Sequence, residues 1–257
     1  MKDHSPIRVF IGYDRHETAA CTALTHSIQE RASRPVSITQ INLAQLSDIY
    51  HRPVESLAST EFSFSRFLVP YLCDYQGWAI FMDCDMLCRT DIAELWDTRD
   101  PNYAVQVVKH DHKPANTVKF NDNVQTRYAK KNWSSVMLMN CSECTNLSLD
   151  YVNSASGLEL HQFKWLADDS RIGELPHGWN HLVDYDLYSV EANLVHFTEG
   201  GPYFSQYRHV DYADEWFACF DRMTGVIDKS STLTAPQSPL IHQDVAPTTS
   251  QGVNPVT

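Results

Sequence analysis

The sequence predicts an α/β fold built on a mixed, mainly parallel sheet. Near the N-terminus a β-rich run, a helical run and a second β-rich run follow one another, and a wholly apolar run lies further along the chain. A strand, a helix and a strand in this order form a parallel unit, and a strand that is apolar throughout has both faces covered. The 257 residues are 43% hydrophobic and 20% charged, as in a globular protein. Together these features favour a Rossmann-like, nucleotide-binding domain.

The first half of the chain alternates strands and helices. Residues 7–12 and 36–41 are predicted as strands because of their Val, Ile and Thr content. Between them a helix is predicted from about His16, with one face formed by Ala20, Leu24 and Ile28. Residues 62–73 are predicted as a helix interrupted at its proline, and residues 78–82 form the apolar strand.

The second half carries the remaining predicted elements. Residues 109–131 are polar and rich in His, Lys and Asn, which suits a long loop over a site. The other predictions are strands at 104–108, 136–139 and 194–197 and helices at 158–167 and 211–223.

The length allows one large α/β domain or two small ones, and the order of elements favours one, covering residues 1–228. Residues 229–257 are rich in Ser, Thr, Pro and Gln, so they are predicted to form a flexible tail.

The charge and apolar content exclude several classes of partner. A net charge of −12 argues against nucleic acid, which needs clustered Lys and Arg. An anionic substrate remains compatible if a divalent cation supplies the positive charge. No apolar run approaches the ~20 residues of a membrane span, and no signal region is evident. We therefore expect a cytoplasmic location and leave peripheral membrane contact open.

Seven scattered cysteines are best explained as buried free thiols of a reducing compartment. Cys141 and Cys144 have CxxC spacing, but no second pair completes a zinc site, so redox or zinc chemistry is disfavoured there.

Two carboxylates, Asp83 and Asp85, directly follow the apolar strand. An Asp-x-Asp pattern alone is more often a solvated turn. Here, however, side chains at i and i+2 of an extended chain point the same way, toward the sheet edge where open α/β sheets bind ligands. The two negative charges would repel each other unless a cation lay between them. We therefore predict a site for a hard divalent cation.

The segments around this pair resemble the core of the family 8 glycosyltransferases, which are retaining, nucleotide-sugar-dependent enzymes with the A-type glycosyltransferase fold. Their pattern is an Arg-containing helix with a Pro, an apolar strand, Asp-x-Asp, and an acidic helix ending in Leu-Trp. The matching segments are 62–72, 79–85, 91–96, 136–140, 175–180, His196-Phe197 and Gly200-Gly201-Pro202.

The resemblance implies roles for individual residues. Asp83, Asp85 and His196 would bind Mn²⁺ (or Mg²⁺), an ion that accepts imidazole beside carboxylates. Asp83 would also contact the ribose. The other residues implied in nucleotide-sugar binding are Tyr13, Asp14, Arg66, Gly200 and Gly201.

Structural explanations also exist for several of these residues. Asp14 and Glu17 have the spacing of a capping box, Arg66 could lie on a helix surface, and His196 could be a buried strand histidine. Gln162 corresponds to the family glutamine near the reacting sugar; being neutral, it could orient the sugar or stabilise positive charge but not act as a base. A solvated helix glutamine is the alternative.

The sequence departs from the family pattern in three places. His161 replaces the usual acid before Gln162, Trp133-Ser134-Ser135 replaces an Asn-Ala-Gly segment, and Gly201-Pro202-Tyr203 lacks the Lys that usually grips phosphate. Arg208 or Lys164 would then supply the missing cation, and the identity of the sugar cannot be carried over.

The expected activity is metal-dependent transfer of a hexose from a nucleotide sugar, expected to be a UDP-sugar, to a hydroxyl of a carbohydrate or other acceptor, with retention of configuration. Two alternatives remain: a nucleotidyltransferase, although residues 12–15 lack the Gly-rich, Lys-containing loop of that class, and a non-catalytic nucleotide-sugar- or carbohydrate-binding module.

Overall fold

The computed structural model describes residues 5–52, 60–111 and 130–225. Its strands are β1 (Ile7–Gly12), β2 (Val36–Ile41), β3 (Trp78–Met82), β4 (Met86–Cys88), β5 (Val105–Val107), β6 (Val136–Asn140), β7 (Ile172–Glu174), β8 (His181–Leu182) and β9 (Leu194–His196). Its helices are α1 (Thr18–Arg31), α2 (Val69–Leu72), α3 (Ile92–Trp96), α4 (Leu149–Ser154), α5 (Gly157–His161) and α6 (Ala213–Thr224).

The strands form a large and a small sheet. The large sheet has the order β2-β1-β3-β6-β5-β7. Strand β1 runs parallel to β2 and β3, and β5 runs parallel to β7, whereas β6 is antiparallel to both of its neighbours. The small sheet has the order β4-β9-β8. The predicted α/β class with a mixed, mainly parallel sheet is confirmed.

The core lies on both faces of β3, whose residues from Ala79 to Met82 are inaccessible to solvent. This explains why the strand is apolar throughout. The predicted face of α1 is also fully buried. A second cluster, under the small sheet, joins Leu87 and Val195 to Trp216 of α6.

Two predicted helices are shorter than expected. Residues 62–73 form a 3-10 turn at Ser65–Leu68 followed by α2, with Pro70 in the first turn of α2, where a missing N–H leaves no hydrogen bond unmade. Helix α5 ends at His161 because Phe163 has a left-handed φ of 59°. The prediction of one helix across 158–167 was therefore wrong in its length.

The compact unit that the structure describes ends at Thr224. The predicted tail, 229–257, lies outside the described residues, as does most of the predicted loop 109–131. The boundary at residue 228 stays a prediction. Among the residues that the structure describes, no helix is long and apolar enough to cross a bilayer.

Candidate metal centre

The Asp83–Asp85 segment links the large sheet to the small one. It leaves β3 and enters β4, and its backbone is tied on both sides. The N–H of Asp83 donates to the carbonyl of Ser135 (3.0 Å), beside β6. The carbonyl of Asp85 accepts from the N–H of Phe197 (2.9 Å), just after β9. Neither carboxylate therefore lies on a free turn.

His196, the last residue of β9, completes a cluster with the two aspartates. Its Nε2 lies 3.4 Å from Oδ1 of Asp85, and one ligand atom from each of Asp83, Asp85 and His196 lies within 4.8 Å of the others. We call these three residues the primary site. Two carboxylates and one imidazole, mostly buried and this close, are a donor set that suits a divalent cation such as Mn²⁺.

Asn180 fixes the orientation of His196. The amide nitrogen of Asn180 donates to the carbonyl of Asn132 (3.0 Å), so its Oδ1 faces Nδ1 of His196, at 2.8 Å. Because an amide oxygen can only accept, Nδ1 must carry the proton. The lone pair of Nε2 is then directed at the Asp85 carboxylate. A histidine must be in this neutral form to bind a metal.

Replacing Asn180 by Ala is expected to weaken Mn²⁺ binding about 10–100-fold, because the imidazole loses its orienting partner. Isothermal titration of Mn²⁺ into the wild type and the variant measures this. Asn102→Ala, which changes an exposed asparagine outside both the primary site and its supporting residues, is the matched control. Equal affinities in Asn180→Ala and wild type would show that Asn180 is only a core residue.

Glu17, which is predicted from the sequence only as part of a capping box, lies buried behind the Asp-x-Asp pair. Its carboxyl accepts from Sγ of Cys84 (3.3 Å) and from the hydroxyl of Tyr203 (3.4 Å). Burial, and next the charge of Asp85, raise the pKa of Glu17 to about 8. Without a metal, Glu17 therefore holds a proton at neutral pH and does not add another negative charge beside the aspartates.

The raised pKa of Glu17 predicts a pH dependence of stability. The folded state holds this proton up to about pH 8, whereas an unfolded glutamate releases it near 4.5. The free energy of unfolding of the metal-free protein should therefore fall as pH rises between those values. Glu17→Gln should flatten this slope, as measured by urea unfolding at several pH values. An unchanged slope in the variant would contradict the raised pKa.

Arg66 is buried and paired with Asp83, so it is not a surface helix residue. Its Nη1 lies 2.7 Å from Oδ1 of Asp83 and donates to the carbonyl of Ser134 (3.0 Å), while Nε donates to the carbonyl of Ser63 (3.1 Å). The guanidinium lies near the rings of Phe62 and Phe81. Arg66 therefore supplies a fixed positive charge next to the primary site.

Asp14 acts as a helix cap. Its two carboxylate oxygens accept from the N–H of His16 (2.9 Å) and of Glu61 (3.0 Å). The capping box does not form, because the Asp14 side chain accepts from the N–H of His16 and not of Glu17, and the Glu17 side chain turns to Cys84. The hydroxyl of neighbouring Tyr13 bonds to Thr18 (3.0 Å). Nucleotide contact by Tyr13 and Asp14 stays a prediction.

The two glycines after His196 are required by close packing. Gly200 has a φ of +142°, a conformation that other residues rarely adopt, and a Cβ there would overlap the ring of Tyr207. A Cβ on Gly201 would overlap the ring of Tyr203. This packing holds whether or not the backbone also approaches a diphosphate, which stays a prediction.

Gln162 lies beside a chain of contacts that leads to the primary site. The neighbouring His161 bonds through Nδ1 to Oγ of Ser134 (2.7 Å), and the carbonyl of Ser134 accepts from Arg66. Burial, with the nearby Arg66 charge, lowers the pKa of His161 to about 3, so it is neutral. His161 and Ser134, which both differ from the family pattern, are thus in direct contact. Among the described residues, no hydrogen bond joins the Gln162 side chain to the primary site.

The two candidate phosphate cations differ in their surroundings. The guanidinium of Arg208 lies over the ring of Phe217 (4.5 Å), and Lys164 is exposed after α5. Neither description places the side chain at the primary site, so phosphate binding by Arg208 or Lys164 stays a prediction.

Comparison with known proteins identifies the family of the chain. The model of the family "Glycosyl transferase family 8" matches residues 13–147. Protein CDI of Arabidopsis thaliana is 44% identical over 223 residues, covering 83% of this chain and 86% of that protein.

Solved structures share the fold at low identity. The bifunctional glycosyltransferase WbbM has a TM-score of 0.58 and 16% identity; the match covers 86% of this chain, which spans 50% of WbbM. The galactosyltransferase LgtC has a TM-score of 0.54 and 10% identity; the match covers 86% of this chain and 97% of LgtC. GlyE of Streptococcus pneumoniae has a TM-score of 0.53 and 13% identity; the match covers 84% of this chain and 60% of GlyE. The chain belongs to glycosyl transferase family 8 and is a glycosyltransferase with the A-type fold.

Proposed function

We propose that this glycosyltransferase moves a hexose from a nucleotide sugar, in the first instance a UDP-sugar, to a hydroxyl acceptor, with Mn²⁺ or Mg²⁺ at the primary site and with retention of configuration. The observation that carries the proposal is the imidazole of His196, whose Nε2 lone pair is held by Asn180 against the Asp83–Asp85 pair. This arrangement favours a cation, because the Nε2 lone pair and the Asp85 carboxylate, 3.4 Å apart, repel each other.

Several residues of the primary site and its surroundings would stabilise the negative charge of the nucleoside diphosphate. Asp83, Asp85 and His196 would hold the ion, which supplies neutralisation of the charge that develops on the departing nucleoside diphosphate. Arg66 adds a buried, fixed positive charge beside Asp83. Gly200 and Gly201 would let the backbone lie close to the diphosphate. Because they are held before substrate arrives, these groups need little reorganisation during reaction.

Gln162 is proposed to act at the sugar. Its side chain is neutral, so it would orient the hexose or stabilise the positive charge of an oxocarbenium-like anomeric carbon. Tyr13 and Asp14, at the end of β1, are proposed to lie against the base and ribose. LgtC, which shares the fold, was solved with donor and acceptor sugar analogues.

A donor screen tests the proposal. Purified protein is incubated with UDP-, GDP- and CMP-sugars in Mn²⁺, with and without excess chelator, and release of the nucleotide is measured. We expect a UDP-hexose to be turned over only in the presence of metal. Proton NMR of the first sugar product should show the anomeric configuration of the donor. Turnover that survives the chelator, a preference for another base, or an inverted product would each overturn the corresponding part of the proposal.

A further inference from the structure

A second group of potential metal ligands lies next to the primary site along the chain. It comprises His177, in a 3-10 turn, His181, at the start of β8, and Asp186, in the following turn. We call it the histidine cluster. Nε2 of His177 lies 2.8 Å and Nδ1 of His181 3.8 Å from Oδ2 of Asp186, and the three ligand atoms lie within 4.8 Å of one another.

The protonation of His181 follows from its partner Tyr212. The Tyr212 hydroxyl donates its single proton to the carbonyl of Ser189 (3.0 Å) and accepts from the N–H of Ser189 (2.8 Å). With the Tyr212 proton on the carbonyl of Ser189, the 2.9 Å contact with Nε2 of His181 assigns a proton to Nε2. The Nδ1 lone pair then faces the Asp186 carboxylate beyond hydrogen-bond distance.

His181 is buried, with only 4% of its surface exposed, so this lone pair is not simply solvated. Oδ2 of Asp186 accepts from the N–H of Leu182 (2.7 Å) and is hydrogen-bonded to Nε2 of His177 (2.8 Å). The carboxylate is therefore held in place beside the His181 lone pair, and a bound cation would replace the proton between His177 and Asp186. The Tyr212 hydroxyl is the kind of outer partner that holds the imidazole of a metal ligand in one tautomer and orientation. The His177 side chain is 56% exposed, which leaves a path from solvent to the cluster.

We propose that the histidine cluster binds a second divalent cation, of the borderline class that Zn²⁺ represents. Two imidazole nitrogens and one carboxylate oxygen are typical zinc ligands, with a fourth position left for water. The primary site, with two carboxylates, suits a harder ion, so the two sites should differ in preference.

The position of the cluster indicates what the second ion would do. The 3-10 turn His177–Asn180 also carries Asn180, which orients His196, and β8 pairs with β9 through Leu182 and His196. An ion that joins His177 to Asp186 would close the segment on which the orientation of His196 depends. The second ion would thus act on the primary site indirectly, through the turn that carries Asn180.

Zinc binding by tag-free, full-length protein tests this proposal. The Asp85→Ala background takes one of the two carboxylates from the primary site, which weakens cation binding there and makes the result independent of the proposed transfer reaction. In this background we expect one Zn²⁺ per chain in competition with a chromophoric chelator. Adding His177→Gln should weaken binding at least about tenfold, since even outer-partner substitutions cost about 10–100-fold. The exposed His209→Gln is the matched control and should leave the affinity unchanged.

A second variant separates ligation from folding. Tyr212→Phe keeps all three ligands but removes the hydroxyl that sets the tautomer, so its Zn²⁺ affinity should fall about 10–100-fold. The absence of stoichiometric Zn²⁺ in the Asp85→Ala protein would overturn the proposal. Equal affinity in the His177→Gln and His209→Gln proteins would overturn it as well.

Discussion

Replacing Asp85 by Ala is expected to lower sugar transfer at least about 100–1000-fold, the range found when one fixed group that stabilises developing charge is removed. Oδ1 of Asp85 lies 3.4 Å from Nε2 of His196. Without Asp85, the primary site keeps only one carboxylate and one imidazole. The measurement is the rate of UDP release from a saturating UDP-sugar across a range of Mn²⁺ concentrations.

The fold should survive this substitution. In the metal-free protein, Asp85 is a source of repulsion that raises the pKa of Glu17, so its removal should leave the thermal midpoint unchanged or raise it. Asp97→Ala, which removes an exposed carboxylate paired with Arg34, is the matched control and should retain full activity. Wild-type rates in Asp85→Ala would refute the metal-site proposal.

Replacing Arg66 by Met is expected to lower the free energy of unfolding by about 3–5 kcal/mol, because the Asp83 carboxylate stays buried without its partner. Both side chains are nearly inaccessible, and the ion pair is 2.7 Å long. Two carbonyl groups, of Ser63 and Ser134, lose their donor as well. Urea unfolding in excess chelator measures the loss.

Two further proteins make this test specific. Arg34→Met breaks a solvent-exposed pair with Asp97 and should cost no more than about 1 kcal/mol. Arg66→Met combined with Asp83→Asn should recover part of the stability, since the unpaired charge is gone. Equal losses in Arg66→Met and Arg34→Met would mean that the buried ion pair does not form in solution.

Local patterns in the sequence were sufficient for the main strands of the fold. Strand β3 is apolar because both faces are covered, and α1 repeats apolar residues because one face is covered. The short strands β4, β7 and β8 were not predicted, since two or three residues carry no periodicity. Their positions depend on pairing with distant segments, which leaves no local trace.

The primary site was predictable because Asp83 and Asp85 follow an apolar strand and His196 precedes a Gly-Gly-Pro segment that matches the family. The supporting residues were not. Asn180 lay in a matching motif, but its bond to His196 depends on the pairing of β8 with β9. Glu17 had the signature of a cap, and only the fold turns its side chain toward Cys84.

The link between the two sheets has a thermodynamic consequence. Asp83 and Asp85 lie in the link between β3 of the large sheet and β4 of the small one, whereas His196 ends β9 of the small sheet. An ion held by all three would act as a removable cross-link between segments far apart in the sequence. Any local opening that separated β9 from β4 would release the ion, so ion binding and this opening oppose each other. At an ion concentration of 100 times Kd, the opening would cost about 2.7 kcal/mol more than in the metal-free protein.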